Sequence, residues 1–266
     1  MYDLPIARIA SQTDSPRLEL SSVSVHFGGL AAVSDVSFAV AAGVVTAVVG
    51  PNGAGKTTLL NVVSGVTMAT AGEVHICGRP TTRVAAFRRA RLGVGRTFQT
   101  PVLVEGATVV ENVMLGVAPH GFDHLAALTG LSTRRDRALR ESAAEALETV
   151  GLRARADERA SRLSHGQRKM VELCRALVGR PNLLLLDEPA SGLHDEEVEQ
   201  TARLVADYAA TSGGSVLMVE HHMGLVRRVA HDVVVLDFGE VIAHGIPDVV
   251  AAQPRVIEAY LGSEAL

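Results

Sequence analysis

Gly50-Pro51-Asn52-Gly53-Ala54-Gly55-Lys56-Thr57-Thr58 is the stretch that decides the fold. It follows an apolar run at residues 44–49 and precedes a helix-like stretch at 56–64, so it reads as the turn from a buried strand into a helix. A glycine-rich turn in that setting is built for phosphate. Gly53 and Gly55 let backbone N–H groups curl around phosphate oxygens while the helix directs its positive end at them. Lys56 adds a mobile positive charge. The Thr57 hydroxyl has the position that coordinates Mg²⁺, and Thr58 can donate to phosphate from the first helical turn. Residues 50–58 as a whole are therefore the expected cradle for a nucleoside triphosphate.

Working outward, the runs at 44–49, 183–186, 216–219 and 233–236 are short, rich in Val and Leu, and continuous rather than alternating, which predicts strands buried on both faces. Helix-like stretches at 56–64, 196–210 and 223–230 lie between and after them. The expected fold is α/β, a P-loop NTPase core with a mostly parallel sheet. Residues 18–26 and 33–40 alternate and predict a small N-terminal antiparallel β subdomain. From about 100 to 179 the pattern changes: Leu139, Ala143, Leu147 and Val150 share one helical face, so an inserted α-helical subdomain is expected. The resulting division is a single nucleotide-binding domain over 17–262. Its core comprises 17–99 and 180–245, its helical subdomain 100–179, and a short C-terminal extension 246–262 follows; residues 1–16 are a tail.

The run at 183–186 ends in Asp187-Glu188-Pro189, at the edge where a parallel sheet gathers its ligands. Asp187 suits anchoring of Mg²⁺, and Glu188 suits orienting and deprotonating a water that attacks the γ-phosphate. Standing alone, the pair would read as a solvated acidic turn. Downstream of a phosphate loop it reads as the hydrolytic half of the site.

Composition narrows the class. With 47% hydrophobic and 20% charged residues over 266 positions, the chain buries a real core. A net charge of −4 argues against a surface that tracks nucleic acid. The apolar runs are far shorter than the ~20 residues a membrane-spanning helix needs. Residues 1–16 lack a secretory layout, which points to a cytoplasmic address. Cys77 and Cys174 have no metal-like spacing and read as small buried hydrophobes. Two arginine runs, Arg88, Arg89, Arg91 and Arg134, Arg135, Arg137, read as solvated helix faces.

Leu163-Ser164-His165-Gly166-Gln167, shortly before the acid-bearing strand, resembles the signature of the ATP-binding-cassette (ABC) family. The resemblance implies a dimer of cassettes in which Ser164, Gly166 and Gln167 meet the γ-phosphate of ATP held by the other chain. It further implies that Gln99, in Arg96-Thr97-Phe98-Gln99, senses Mg²⁺ and γ-phosphate. On the same basis His221 is the switch histidine that holds Glu188 and the water, and Phe27 stacks on adenine. Ser191-Gly192-Leu193 matches the family's dimer-contacting loop. His165 stands where glycine is commonest, and His194 where Asp or Asn is frequent. A capping box, Ser164 with Gln167, is a compatible plainer reading of the signature.

The Arg-Thr-Phe-Gln stretch, the insert at 118–151, Glu220 before His221 and the ending at 256–262 resemble the LivG-type branch, which energises import of branched-chain and other amino acids. In that branch Asp is usual where this chain has His222. The resemblance implies ATP and Mg²⁺ as cofactors, and a homo- or heterodimer with another ABC ATPase on integral-membrane permeases. It also implies a solute-binding protein as indirect partner, no nucleic acid, and a peripheral place on the cytoplasmic face of the membrane. Two alternatives are the ATPase of a lipid or lipopolysaccharide exporter and a soluble ABC ATPase of nucleic-acid metabolism.

These assignments predict separable variants. Glu188→Gln should lower phosphate release by about a hundredfold or more while ATP still binds. Lys56→Ala should weaken ATP binding itself by about tenfold or more. Phosphate release and fluorescent-nucleotide titration measure the two effects, and near-normal release by Glu188→Gln would remove Glu188 from its role.

Overall fold

The computed structural model describes residues 15–117 and 134–263. Most of the expected tail at 1–16, and the 118–133 part of the insert, lie outside the described residues. Among the described residues, ten strands form two sheets: β1 Leu18–Phe27, β2 Leu30–Val40, β3 Val45–Val49, β4 Ala71–Ile76, β5 Arg79–Pro80, β6 Val94–Arg96, β7 Leu183–Asp187, β8 Ser215–Val219, β9 Asp232–Asp237 and β10 Glu240–Gly245. The smaller sheet is antiparallel, in the order β2-β1-β4-β5. The larger runs β10-β9-β3-β8-β7-β6, with every neighbouring pair parallel except β10 against β9.

The continuous apolar runs are explained by burial on both faces. Leu183 and Leu185 of β7 point into a core shared with the antiparallel sheet and the helix Lys56–Ser64. Leu184 and Leu186 point into a second core under the helix Asp195–Ser212. With side chains alternating and apolar partners on both sides, these positions favour apolar residues, although Thr46 of β3 is buried among them. Three of the strands extend by a residue into polar ground, because backbone pairing continues past the apolar stretch: Asp187 pairs with Val219, Ser215 with Leu183, and Asp232 with Thr46.

A third apolar cluster belongs to the middle of the chain. Val109, Val110 and Val113 from the helix Val109–Met114 meet Ala143 and Leu147 from the helix Arg134–Thr149, together with Met170, Val171 and Cys174 from the helix His165–Val178. That last helix also buries Leu173 in the core under the main sheet. It therefore belongs to two cores at once. The C-terminal extension packs on the main sheet: Val250 and Val256, from the helices Pro247–Ala251 and Pro254–Ser263, are buried in the same core.

One basic residue departs from the expectation of a solvated face. Arg89 is fully buried. Its guanidinium donates to the carbonyls of Val62 and Val63, at the end of the phosphate-loop helix, at 2.7 and 2.8 Å, and to those of Thr81, Thr82 and Val84. Five donors in a fixed fork can satisfy helix-end and loop carbonyls that no backbone N–H reaches. Burial pulls the guanidinium down to about 10, which leaves it cationic at neutral pH. A charge run counted in sequence cannot distinguish Arg89 from its exposed neighbours Arg88 and Arg91. Arg89→Met should cost about 3 kcal/mol or more, because several buried carbonyls lose their donor together; urea unfolding followed by circular dichroism measures it, and a loss under about 1 kcal/mol would contradict the anchoring role.

Candidate active site

Gly50 follows β3 and Lys56 opens the helix, so the loop lies at the carboxyl edge of the main sheet, where parallel folds gather ligands. Gly55 caps the helix at φ 96°, and a Cβ there would sit 2.2 Å from the Ala32 carbonyl oxygen, so only glycine fits. Gly50 and Ala54 are buried, Pro51 is half-buried, and Asn52 and Gly53 are exposed. Lys56 Nζ donates to the carbonyl oxygens of Gly50 and Pro51, both at 2.7 Å. Burial lowers its pKa, and Glu188 opposes that shift. Thr57 is exposed and Thr58 half-buried in the first helical turn.

Across the site, β7 delivers Asp187 and Glu188. Asp187 is 4% exposed; one carboxylate oxygen meets Arg96 Nη2 at 3.3 Å, and the other is buried with no hydrogen-bond partner among the described residues. Arg96 also reaches Asn61 and Ser64 on the phosphate-loop helix, and its guanidinium stands 4.9 Å from the Phe98 ring centre. Desolvation raises the Asp187 pKa against the pull of Arg96. An orphaned carboxylate oxygen near a threonine-bearing helix end is the hard-oxygen chemistry that suits Mg²⁺. Among the described residues, no group of three or more His, Cys, Asp or Glu side chains could hold a metal by itself.

Glu188 has φ 48°, a left-handed backbone that costs a non-glycine residue about 1–2 kcal/mol. Its carboxylate accepts a hydrogen bond from Gln99 Nε2 at 2.9 Å, and His221 Nδ1 stands 3.9 Å from its other oxygen. Gln99 and His221 are both exposed. Gln99, Glu188 and His221, widely separated in sequence, thus converge.

The signature residues lie at the start of the helix His165–Val178, and the capping box forms: Ser164 Oγ accepts the Gln167 N–H at 3.3 Å and Gln167 Oε1 accepts the Ser164 N–H at 3.1 Å. Gln167 Oε1 also accepts from Arg155 at 2.6 Å. Ser164 remains exposed, whereas Gly166 is buried so closely that a Cβ would come within 1.9 Å of a Glu197 oxygen. His165 lies beside the following loop, 3.5 Å from where a Gly192 Cβ would be. The His194 N–H donates to Glu197. His222 accepts the Leu225 N–H at 3.1 Å through Nδ1, doing what an aspartate cap does. Phe27, at the end of β1, is 54% exposed, a ring face open to a ligand.

Sequence reasoning missed a set of charged side chains under this edge. Lys169 and Glu172 interrupt the buried face of the signature helix, which is the signal that would have found them. Glu172 is 2% exposed, pairs with Arg175 at 3.1 Å, and takes backbone N–H groups of Phe98 and Val102; Arg175 donates to the Val102 carbonyl. Together they hold the loop after Gln99 against the helix. The tail also reaches the site, since Tyr260 lies against the main chain of Gly50.

Comparisons with known proteins show the family. The ABC transporter family's sequence profile matches residues 33–191, and that of the branched-chain amino acid ATP-binding cassette transporters matches 240–265. The high-affinity branched-chain amino acid transport ATP-binding protein BraF of Pseudomonas aeruginosa is 38% identical, covering 93% of this chain and 98% of its own. A solved ABC-transporter cassette in its ADP conformation superposes with a TM-score of 0.81 at 30% identity, over 93% of this chain and 99% of that one. A dimeric cassette in a post-hydrolysis state, bound to ADP and Pi, gives 0.73 at 25% identity over 86% and 98%. The chain belongs to the ABC transporter family and is an ATPase of that family. Among the described residues no helix is long and apolar enough to cross a membrane.

Glu172 generates a pH prediction. Burial raises its carboxyl to about 7 from the ordinary 4.5, against Arg175 and the two N–H donors. The folded chain then holds a proton that the unfolded chain releases, so this contribution to stability is complete below about 4.5 and is lost as pH rises through about 7. Urea midpoints at pH 5.5 and 8 should fall more steeply for the native chain than for Glu172→Gln; parallel slopes would contradict it.

Proposed function

We propose that this chain is the ATP-hydrolysing subunit of a membrane importer for branched-chain or other amino acids. The observation that carries the ATPase chemistry is the convergence of Gln99, Glu188 and His221 opposite the loop that bears Lys56.

ATP lies with adenine on Phe27 and its phosphates in the loop Gly50 to Thr58. Lys56 exchanges its two loop carbonyls for phosphate oxygens, a trade of neutral for charged acceptors that favours the nucleotide. Thr57, Gln99 and Asp187 would hold Mg²⁺, which neutralises charge on the phosphate oxygens. Glu188 orients the water and takes its proton, and Gln99 and His221 keep the carboxylate in place. Ser164, Gly166 and Gln167 face the nucleotide of a second cassette, which is supported by the exposure of Ser164 and by the cap that leaves other helix-end N–H groups available. Closure of the two cassettes moves attached permeases, and hydrolysis reopens them. We also propose the division into a core of 17–99 and 180–245, a helical subdomain of 100–179 and an extension of 246–262, supported by the separate apolar cluster of the middle segment.

The cargo assignment rests on the tail at 240–265 and the Pseudomonas relative. A partner cassette, two permeases and an external solute-binding protein follow from that reading, as does a place on the cytoplasmic face of the membrane. A tagged Glu188→Gln form purified from detergent-solubilised native membranes should bring down two permeases and a second cassette, identified by mass spectrometry, and deletion of the gene should reduce uptake of labelled leucine. Recovery of lipid-export components or of nucleic-acid proteins would overturn the cargo and leave the ATPase chemistry standing.

A further inference from the structure

Lys169 follows Ser164 by five residues on the signature helix, and its ammonium reaches the turn that leaves β7. It is 6% exposed and donates to the carbonyl oxygens of Glu188 at 2.9 Å and Ser191 at 2.6 Å. These bracket the turn that leaves β7. The same turn is held from the other side. The Glu188 N–H donates to the Val219 carbonyl at 2.9 Å. Glu220, fully buried, accepts the Ala190 N–H through one oxygen at 2.8 Å, and through the other the N–H groups of His221 and His222 at 2.7 and 2.8 Å. A buried cation and a buried anion therefore grip the four-residue turn 188–191 and the main chain of His221 between them, and the Glu220 charge opposes the lowering of the Lys169 pKa by burial.

This explains how a glutamate is kept at φ 48°. A left-handed non-glycine residue persists only where its surroundings over-determine it, and here both its N–H and its carbonyl are engaged from separate elements. The conformation sets the direction of the side chain that meets Gln99.

We propose that Lys169 is a positioning residue for hydrolysis. It holds Glu188 in its left-handed pose and, because it rides on the helix capped by Ser164, it makes the segment facing the partner's nucleotide and the carboxylate facing the chain's own nucleotide move as one body. This rests on the reading of Glu188 as the residue that orients water. Glu220 is the counter-charge that makes a buried ammonium tolerable at this place and aligns the His221 backbone.

The test is steady-state ATP hydrolysis by the purified full chain. Lys169→Met keeps the stem and removes the donors, and should lower kcat by about a hundredfold, the scale of a misplaced catalytic group, while KM for ATP stays within about threefold. Lys169→Arg, which restores a long cation with several donors, should recover kcat to within about tenfold of the native chain. Thermal melting checks folding. If the Met variant does not fold, Lys169→Gln is read in its place with the same expectation. A folded Met or Gln variant with kcat within about twofold of native overturns the proposal, as does an Arg variant no better than they are. Glu188→Gln is run beside them: near-normal hydrolysis by that variant would remove the underlying reading and the proposal with it, whereas a dead Glu188→Gln with an active Lys169→Met would sink the positioning role alone.

Discussion

The parallel backbone ladder of β3, β8 and β7 is the constraint on which the rest of the molecule depends. Val48 pairs with Val219, and Val219 pairs in turn with Asp187. Neighbouring strands lie about 4.8 Å apart, so these pairings bring the ends of three strands to one edge within about 10 Å. Gly50, Glu188 and Glu220 are the residues that leave that edge. Helix-borne groups are then brought to fixed strand ends, and the large apolar investment in both faces of the sheet makes those ends rigid. A slip of register by one residue would turn every side chain over and move Leu184 and Leu186 into the wrong core.

Beneath the edge, five charged residues occupy places an apolar core would ordinarily take: Arg96, Lys169, Glu172, Asp187 and Glu220. Such groups are a poor source of stability, because desolvation consumes most of their attraction. Their use is directional. Arg96 ties the Asp187 carboxylate to Asn61 and Ser64 on the phosphate-loop helix. Glu172 and Arg175 tie the segment after Gln99 to the signature helix. Apolar side chains of equal volume would fill the space and leave the loops free to shift, whereas hydrogen bonds to named carbonyls and N–H groups set their positions.

What the sequence made legible follows from the range over which each signal acts. The apolar runs at 183–186 and 216–219 report burial on both faces, a local property, and they became β7 and β8. The strand-to-helix turn at 50–58 was readable because its shape is a matter of adjacent residues. Strand ends were not, since Asp187 and Ser215 pair through the backbone whatever their side chains. Arg89 was misread because its partners, Val62 and Val63, are 27 and 26 residues away and their need for donors is a consequence of tertiary packing. His222 looked like a departure from an aspartate, yet an imidazole nitrogen accepts an N–H as a carboxylate does, so the cap survives the exchange. The grouping of Gln99, Glu188 and His221 was available only by resemblance, because no spacing rule relates three loops.

The signature helix has a mechanical role that its sequence motif does not express. Met170, Val171 and Cys174 pack with the helices of the middle segment, whereas Leu173 packs beneath the main sheet. Displacing the helix disturbs both cores, and close-packed interiors do not deform smoothly; they move as bodies or repack. A force on its Ser164 end is therefore transmitted to the middle segment through apolar contacts and to the turn after β7 through hydrogen bonds. Two kinds of coupling leave one rigid rod in different directions. That arrangement ties the turn after β7 and the helices of the middle segment to the same helix.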